Sequence, residues 1–300
     1  MNSMKQKSWK SKKSHLESIK AHFGIDTLLD RISRSAVEKY KAELMSMESR
    51  CKRTMKPATV NRRMACLRHL FSKAVDWDIL KDNPCRGVKQ IKENNRRLRF
   101  LTPEECRALL DACPKAEPAR PGKPGEPDKP AKPATLKQVV ELALHTGMRK
   151  SEILKLKWEH VNFRQAYLEI LDQKNGEYST VPLDKRALEI LRSVPRRLDS
   201  PYVFTGRIKG QPFWDLKRQF EEAVKAAKLE GVTFHTLRHT AASHMVMSGV
   251  PLATVKEILR HKDYAMTLRY AHLSSEHKKA AIDALCQALE VKPKEEEKTA

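Results

Sequence analysis

Four separate stretches of this chain carry residue types able to act on a phosphodiester. Thr146-Gly147-Met148-Arg149-Lys150-Ser151-Glu152 reads as a helix broken at the glycine, with an arginine in the break and a new helix after it. A guanidinium presented from a backbone turn offers a bidentate fork to phosphate oxygens. In His235-Thr236-Leu237-Arg238-His239 the first histidine and the arginine stand three apart, hence on one helix face. Imidazole and guanidinium together combine proton handling with charge stabilisation, which a phosphodiester transition state needs. Leu259-Arg260-His261-Lys262-Asp263 follows a helix expected from about Pro251, and Tyr270 comes nine residues after that histidine. A phenol, with a pKa of about 10, is a poor nucleophile unless desolvated and close to cationic or basic groups. Arg149, Arg238, His235 and His261 would form that environment. Lys174 precedes Asn175-Gly176 between two apolar runs, a hairpin signal, and its flexible ammonium can reach into a cleft as a proton donor.

Each stretch also has an ordinary reading. A surface arginine after a glycine cap is commonplace, Tyr270 alone reads as a half-buried core aromatic, and Lys174 alone as a hairpin lysine. His235 and His239 at i, i+4 suggest a metal site. The position after His235 is Thr236 where a zincin has glutamate, and a third ligand is lacking, so no metal is expected. Tyr264, three residues after His261, is a rival nucleophile.

The elements that must position these residues read as mainly helical, with one small β region. Ser35-Ala36-Val37-Glu38 has the form of a capping box opening a helix to about Met45. Thr59 is placed to cap a longer helix whose Val60, Met64, Leu67, Phe71 and Val75 recur at three-to-four spacing, with Asn83-Pro84 ending the unit. Its polar side carries Arg62, Arg63, Arg68 and Lys73, expected to contact DNA phosphates. Thr102-Pro103-Glu104-Glu105 combines a cap, a proline at the first helical position and a capping box, so a new domain starts there. Strands are expected over Tyr167–Leu171 and Tyr178–Leu183, and helices from Trp214 onward, closing on a stripe of Ile282, Leu285 and Leu289.

Charge points to a polyanionic partner. The 300 residues hold 59 Lys+Arg against 37 Asp+Glu, a net of +22. The first hundred residues hold 25 of the basic and only 10 of the acidic side chains. A segment that basic repels itself unless nucleic acid or an anionic surface neutralises it. No stretch reaches the ~18 apolar residues of a spanning helix, and the polar start lacks a secretory core, so no membrane is expected. The six cysteines form no CxxC pair and read as reduced thiols of a cytoplasmic protein. From 114 to 134 a proline recurs every third residue from Pro118 to Pro133, an exposed polyproline-like insertion.

The ordered set Arg149, Lys174, His235-x-x-Arg238, His261 and Tyr270 resembles the catalytic residues of the tyrosine recombinases, the phage-integrase family. The text around it is similar too: Thr146-Gly147-Met148-Arg149, Phe234-His235-Thr236-Leu237-Arg238-His239-Thr240 and Met266-Thr267-Leu268-Arg269-Tyr270, over roughly residues 8–285. Pro57-Ala58-Thr59-Val60-Asn61-Arg62 and Asn83-Pro84 resemble landmarks of that family's core-binding domain. The resemblance implies a mainly α fold with a small β-hairpin or sheet (α+β): a helical core-binding domain over 1–90, a basic linker over 91–100, a catalytic domain over 101–285 with the insertion at 114–134, and the end of a C-terminal helix with a charged tail over 286–300. It implies a site-specific recombinase that cuts and rejoins double-stranded DNA through a 3′-phosphotyrosine on Tyr270. Arg149 and Arg238 hold the non-bridging oxygens, His261 adds a hydrogen bond, His235 assists removal of the phenol proton, and Lys174 protonates the leaving oxygen. Glu152 orients Arg149 and His235. Exchange of one phosphoester for another needs neither cofactor nor metal. The expected partners are DNA, further copies of the chain in a tetramer, and accessory DNA-bending proteins, with the chain nucleoid-associated.

Three departures stand out. Arg260 occupies a position where the family usually has glycine, and its side chain would either crowd the turn or reach a phosphate. The insertion at 114–134 is unusually long. The chain also has no room for an arm-binding domain before about residue 8. A type IB topoisomerase, a catalytically idle DNA-binding relative and a metal-dependent nuclease are the alternatives, the last lacking a carboxylate cluster.

Overall fold

The computed structural model describes residues 9–47, 54–93, 98–116, 135–171, 178–206, 208, 210–213, 215–274, 282, 283, 285, 286 and 289. It divides into two compact units, residues 1–95 and 96–300.

In the first unit α1 (Trp9–Phe23), α2 (Arg34–Ser46) and α3 (Pro57–Asp76) pack with α3 against both others. The apolar stripe read in α3 is its buried face: Val60, Met64, Leu67 and Phe71 meet Val37, Tyr40 and Leu44 of α2 and Ile19 of α1. Each such side chain, fully buried, contributes roughly 1.5–3 kcal/mol. Both helix starts lie earlier than their sequence signals, α2 by two residues and α3 by three. Ser33, not Ser35, caps α2, its Oγ accepting from the Ala36 N–H at 3.3 Å. Pro57 opens α3 ahead of Thr59, because its ring fixes the helical φ and its missing N–H is no loss in a first turn. Buried Asn61 then ties the following chain to α3: its amide exchanges two 2.9 Å bonds with the backbone of Ile91.

The second unit begins at α4 (Pro103–Asp111), capped by Thr102 and Glu105 as the sequence predicts. Its centre is α5 (Thr135–Thr146), whose Leu136, Val139, Val140, Leu142 and Ala143 are buried. The short α6 (Lys150–Leu154) follows across Gly147. An antiparallel sheet of β1 (Val161–Asn162), β2 (Tyr167–Leu171) and β3 (Tyr178–Pro182) comes next, with Leu168 opposite Val181 and both buried. The hairpin was legible in the sequence; two-residue β1 was too short to be. Four further helices complete the unit among the described residues: α7 (Lys185–Ser193), α8 (Lys217–Ala226), α9 (Phe234–Met247) and α10 (Leu252–Leu259), ahead of the single turn α11 (Ala265–Leu268). Helix α5 packs against α4, α6, α7 and α9, and α10 against α9.

Residues 117–134, holding most of the proline-rich insertion, and 172–177, holding Lys174, lie outside the described residues. Among the described residues no helix is long and apolar enough to cross a membrane. Ile282, Leu285 and Leu289 are exposed. Cys85 and Cys113 are free thiols that burial pushes up to about 11, leaving them unreactive.

Candidate active site

The site is assembled from two helix-ending turns and the middle of α9. At the end of α5 the Thr146 hydroxyl donates to the Leu142 carbonyl at 2.5 Å, and Gly147 turns the chain with φ 63°. Arg149 stands at the N-terminus of α6, half-buried. At the end of α10 the chain closes in a Schellman arrangement: the Arg260 N–H donates to Glu257 O at 2.9 Å and the His261 N–H to Lys256 O at 3.0 Å. The residue that turns left-handed is Arg260, at φ 54°, where glycine is the least strained choice.

Arg238 joins these two turns. Buried in α9, it donates from Nη1 to the Gly147 carbonyl at 2.9 Å and from Nη2 to the Leu259 carbonyl. Arg149 and Glu152 pair at 2.8 Å, and the Glu152 carboxylate also accepts from the Arg149 backbone N–H at 2.9 Å and from Arg260 Nη2 at 2.5 Å. Burial alone would raise the Glu152 carboxyl, but Arg260 and the two Arg149 donors outweigh it and hold it below the usual carboxylate range. The second partner of Glu152 is therefore Arg260, not His235. Arg260 neither crowds the turn nor points to solvent, since its left-handed backbone aims the side chain across at α6.

Tyr270 lies just beyond α11 and is 1% exposed, packed with Ala242, Val246, Val255 and Leu259. Its hydroxyl meets His239 Nδ1 at 2.6 Å. His261 is buried, its Nδ1 2.9 Å from the Thr267 hydroxyl. His235 is exposed, its ring edge-on to that of His239 with centroids 4.7 Å apart. Tyr264, the rival nucleophile, is 42% exposed at the start of α11.

The electrostatics show that these groups share one space. Burial, with the nearby charge of Arg149, pulls Arg238 down to about 10. Burial, then Arg238 and Arg149, pulls His261 down to about 4 and lowers His235 as well. Burial raises the Tyr270 phenol; Arg269 and Arg238 oppose the rise without reversing it. The cationic surroundings thus do not by themselves ionise the tyrosine, contrary to the simplest expectation from the sequence. Five of the six expected catalytic residues come together, and Lys174 is the one outside the described residues. His239 and Arg269 are additions. The signal for His239 was its i, i+4 spacing from His235 on the helix that carries Arg238. Among the described residues no group of three His, Cys, Asp or Glu could hold a metal.

In the first unit Arg62 and Lys73 are exposed, Lys73 pairing with Asp76 at 2.9 Å. Arg63 and Arg68 are half-buried and donate to Ser18 Oγ at 3.1 Å and to the Val88 carbonyl at 3.0 Å.

Comparison with known proteins decides the family. The profile of the phage integrase family matches residues 99–277, and that of the phage integrase SAM-like domain matches residues 1–92. This chain belongs to the phage integrase family. Among its relatives, the integrase of Haemophilus phage HP1 is 32% identical over 234 residues, covering 76% of this chain and 59% of that protein. The integrase of Salmonella phage P22 is 30% identical over 221 residues, covering 67% and 50%. The chain therefore spans only about half to three-fifths of these two integrases. The fold is similar to that of lambda integrase, solved as a dimer bound to a core site, with a TM-score of 0.69, 22% identity, and 89% and 88% of the two chains covered. Within the phage integrase profile fall Arg149, Glu152, His235, Arg238, His261 and Tyr270, the residues that the fold gathers.

Proposed function

We propose that this chain is a site-specific DNA recombinase of the integrase type, cutting and rejoining double-stranded DNA through a phosphotyrosine on Tyr270. The observation that carries this reading is a buried phenol that feels the charges of Arg238 and Arg269, with Arg149 and His261 gathered around the same Arg238. The Tyr270 oxygen attacks the scissile phosphorus: the bond between that oxygen and phosphorus forms, phosphorus keeps its bond to the 3′ oxygen, and the bond to the 5′ oxygen breaks. Arg149 and Arg238 neutralise the charge gathering on the non-bridging oxygens, the work a metal would otherwise do. A neutral His261 that takes the Thr267 hydroxyl hydrogen on Nδ1 keeps Nε2–H to donate to the same oxygens. Lys174 delivers the proton to the leaving 5′ oxygen, and His235, open to solvent, assists the phenol proton on its way out. Rejoining reverses these steps with a new 5′ hydroxyl, and bond energy is conserved throughout.

The domains have separate tasks in this reading. The helical unit up to about residue 90 grips the duplex, with Arg62 and Lys73 as phosphate contacts, and the unit from about residue 101 carries the chemistry. Exchange between two duplexes breaks four strands and so calls for four tyrosines, which supports a tetramer on DNA. The chain would work on nucleoid DNA in the cytoplasm.

The test is covalent capture. A pool of nicked duplexes of randomised sequence is offered to the protein, and denaturation-resistant protein–DNA adducts are isolated, sequenced and mapped to their tyrosine. The expected adduct is on Tyr270 and vanishes in Tyr270→Phe while DNA binding stays. An adduct on Tyr264, or none from the whole pool, overturns the reading; the second outcome with DNA binding intact marks an idle DNA-binding relative.

A further inference from the structure

The phenol of Tyr270 is held protonated by burial, so its attack requires an acceptor for the proton, and the acceptor in contact with it is not one of the six residues already discussed. We propose that His239 is a catalytic residue: its Nδ1, 2.6 Å from the Tyr270 hydroxyl, takes the phenol proton as the oxygen attacks phosphorus. This rests on the recombinase reading above and adds a general base to it. The proton leaves the phenol oxygen for Nδ1, the P–O bond forms at that oxygen, and His239 becomes an imidazolium until rejoining returns the proton to the departing tyrosine.

Three observations support the assignment. The distance and the position on α9 fix the ring against the nucleophile rather than against solvent, and His239 is half-buried. Its ring is neutral at neutral pH: burial, then the charges of His235, Arg269, Arg238 and His261, bring it down to about 4. A neutral ring has a lone pair to accept with, and an arriving phosphate diester cancels part of the cationic field that weakens it as a base. His235, by contrast, meets the phenol only through His239, ring edge against ring.

The decisive variant is His239→Asn, whose side-chain oxygen can accept the phenol hydrogen bond but cannot take the proton. On a nicked duplex recovered by the unsubstituted protein, adduct formation by His239→Asn should fall at least about 100-fold with DNA affinity unchanged. The residual rate should climb steadily with pH as hydroxide replaces the lost base. A 5′-bridging phosphorothioate duplex, whose leaving thiolate needs no proton, should not restore it. Adduct formation at the unsubstituted rate, or rescue by the phosphorothioate, overturns the proposal while leaving the Tyr270 adduct and hence the recombinase reading intact. A second measurement needs neither DNA nor a variant: nitrogen-15 spectra of the whole protein near neutral pH should show His239 protonated on Nε2 and bare on Nδ1. A proton resident on Nδ1 would make the ring a donor to the phenol and sink the assignment.

Discussion

Arg260 reaches from a left-handed helix end to Glu152, and its guanidinium sits 2.5 Å from the carboxylate that also holds Arg149. The residue that strains the α10 turn is thus the one that completes an Arg149–Glu152–Arg260 bridge. A non-glycine residue in this conformation costs about 1–2 kcal/mol, and the half-buried ion pair offsets it locally.

Replacing Arg260 separates these two effects. Arg260→Gly relaxes the backbone but frees one side of Glu152, so Arg149 is held less firmly. Adduct formation should drop about tenfold with DNA affinity within about twofold, since the loss falls on orientation rather than binding. Glu152→Gln, which weakens both arms of the bridge, should drop it further. Equal rates in Arg260→Gly and the unsubstituted protein, by single-turnover cleavage, would show that the bridge is only structural.

A side chain at Gly147 would have to displace buried Leu259. A Cβ there would lie 2.5 Å from Leu259 Cδ2, on a backbone at φ 63°. Gly147→Ala should cost about 2 kcal/mol in urea denaturation, and it should also lower cleavage, because the Gly147 carbonyl anchors Arg238.

Acid should weaken the second unit before it unfolds the chain outright. His239 and His261 titrate at about 4 when folded against 6.5 ordinarily. With folded values lowered, the unfolded chain binds protons first. Their stability is complete above about pH 6.5 and drains as the pH falls toward 4, on the order of 2 kcal/mol for each ring. Urea midpoints followed between about pH 7 and pH 4 should trace this, and the trace should be shallower in His239→Asn. A midpoint independent of pH over that window would contradict the burial of both rings.

Salt separates phosphate-contacting arginines from structural ones. Arg62→Ala should reduce the slope of log K against log salt by about 0.9, the signature of one neutralised phosphate. Arg68→Ala should leave the slope alone and lower stability by about 1–3 kcal/mol, because the buried Val88 carbonyl loses its donor. Indistinguishable salt slopes for the two variants would refute the division.

The site was legible in the sequence where local frames fix it. Gly147 before Arg149, and His235 three residues ahead of Arg238, are short-range patterns that a helix or a turn converts directly into geometry. His239 was legible only as half of a metal pair, since nothing in the spacing of α9 says that Tyr270, 31 residues on, comes back to it. Arg260 invited two readings, and its actual partner, Glu152, is 108 residues away. Caps slipped for a simpler reason: Ser33 and Ser35 are both able to start α2, and the buried Val37, Tyr40 and Leu44 fit either start, so the apolar pattern does not choose between them.

The two carbonyls gripped by Arg238 have an evolutionary corollary. Lysine lacks the planar fork whose two nitrogens meet them here, and a residue added to either turn would shift one oxygen away from that fork. Drift in this chain is then channelled: length variation can accumulate in surface connections, while the Gly147 and Leu259 bends must keep their count for as long as one guanidinium holds both.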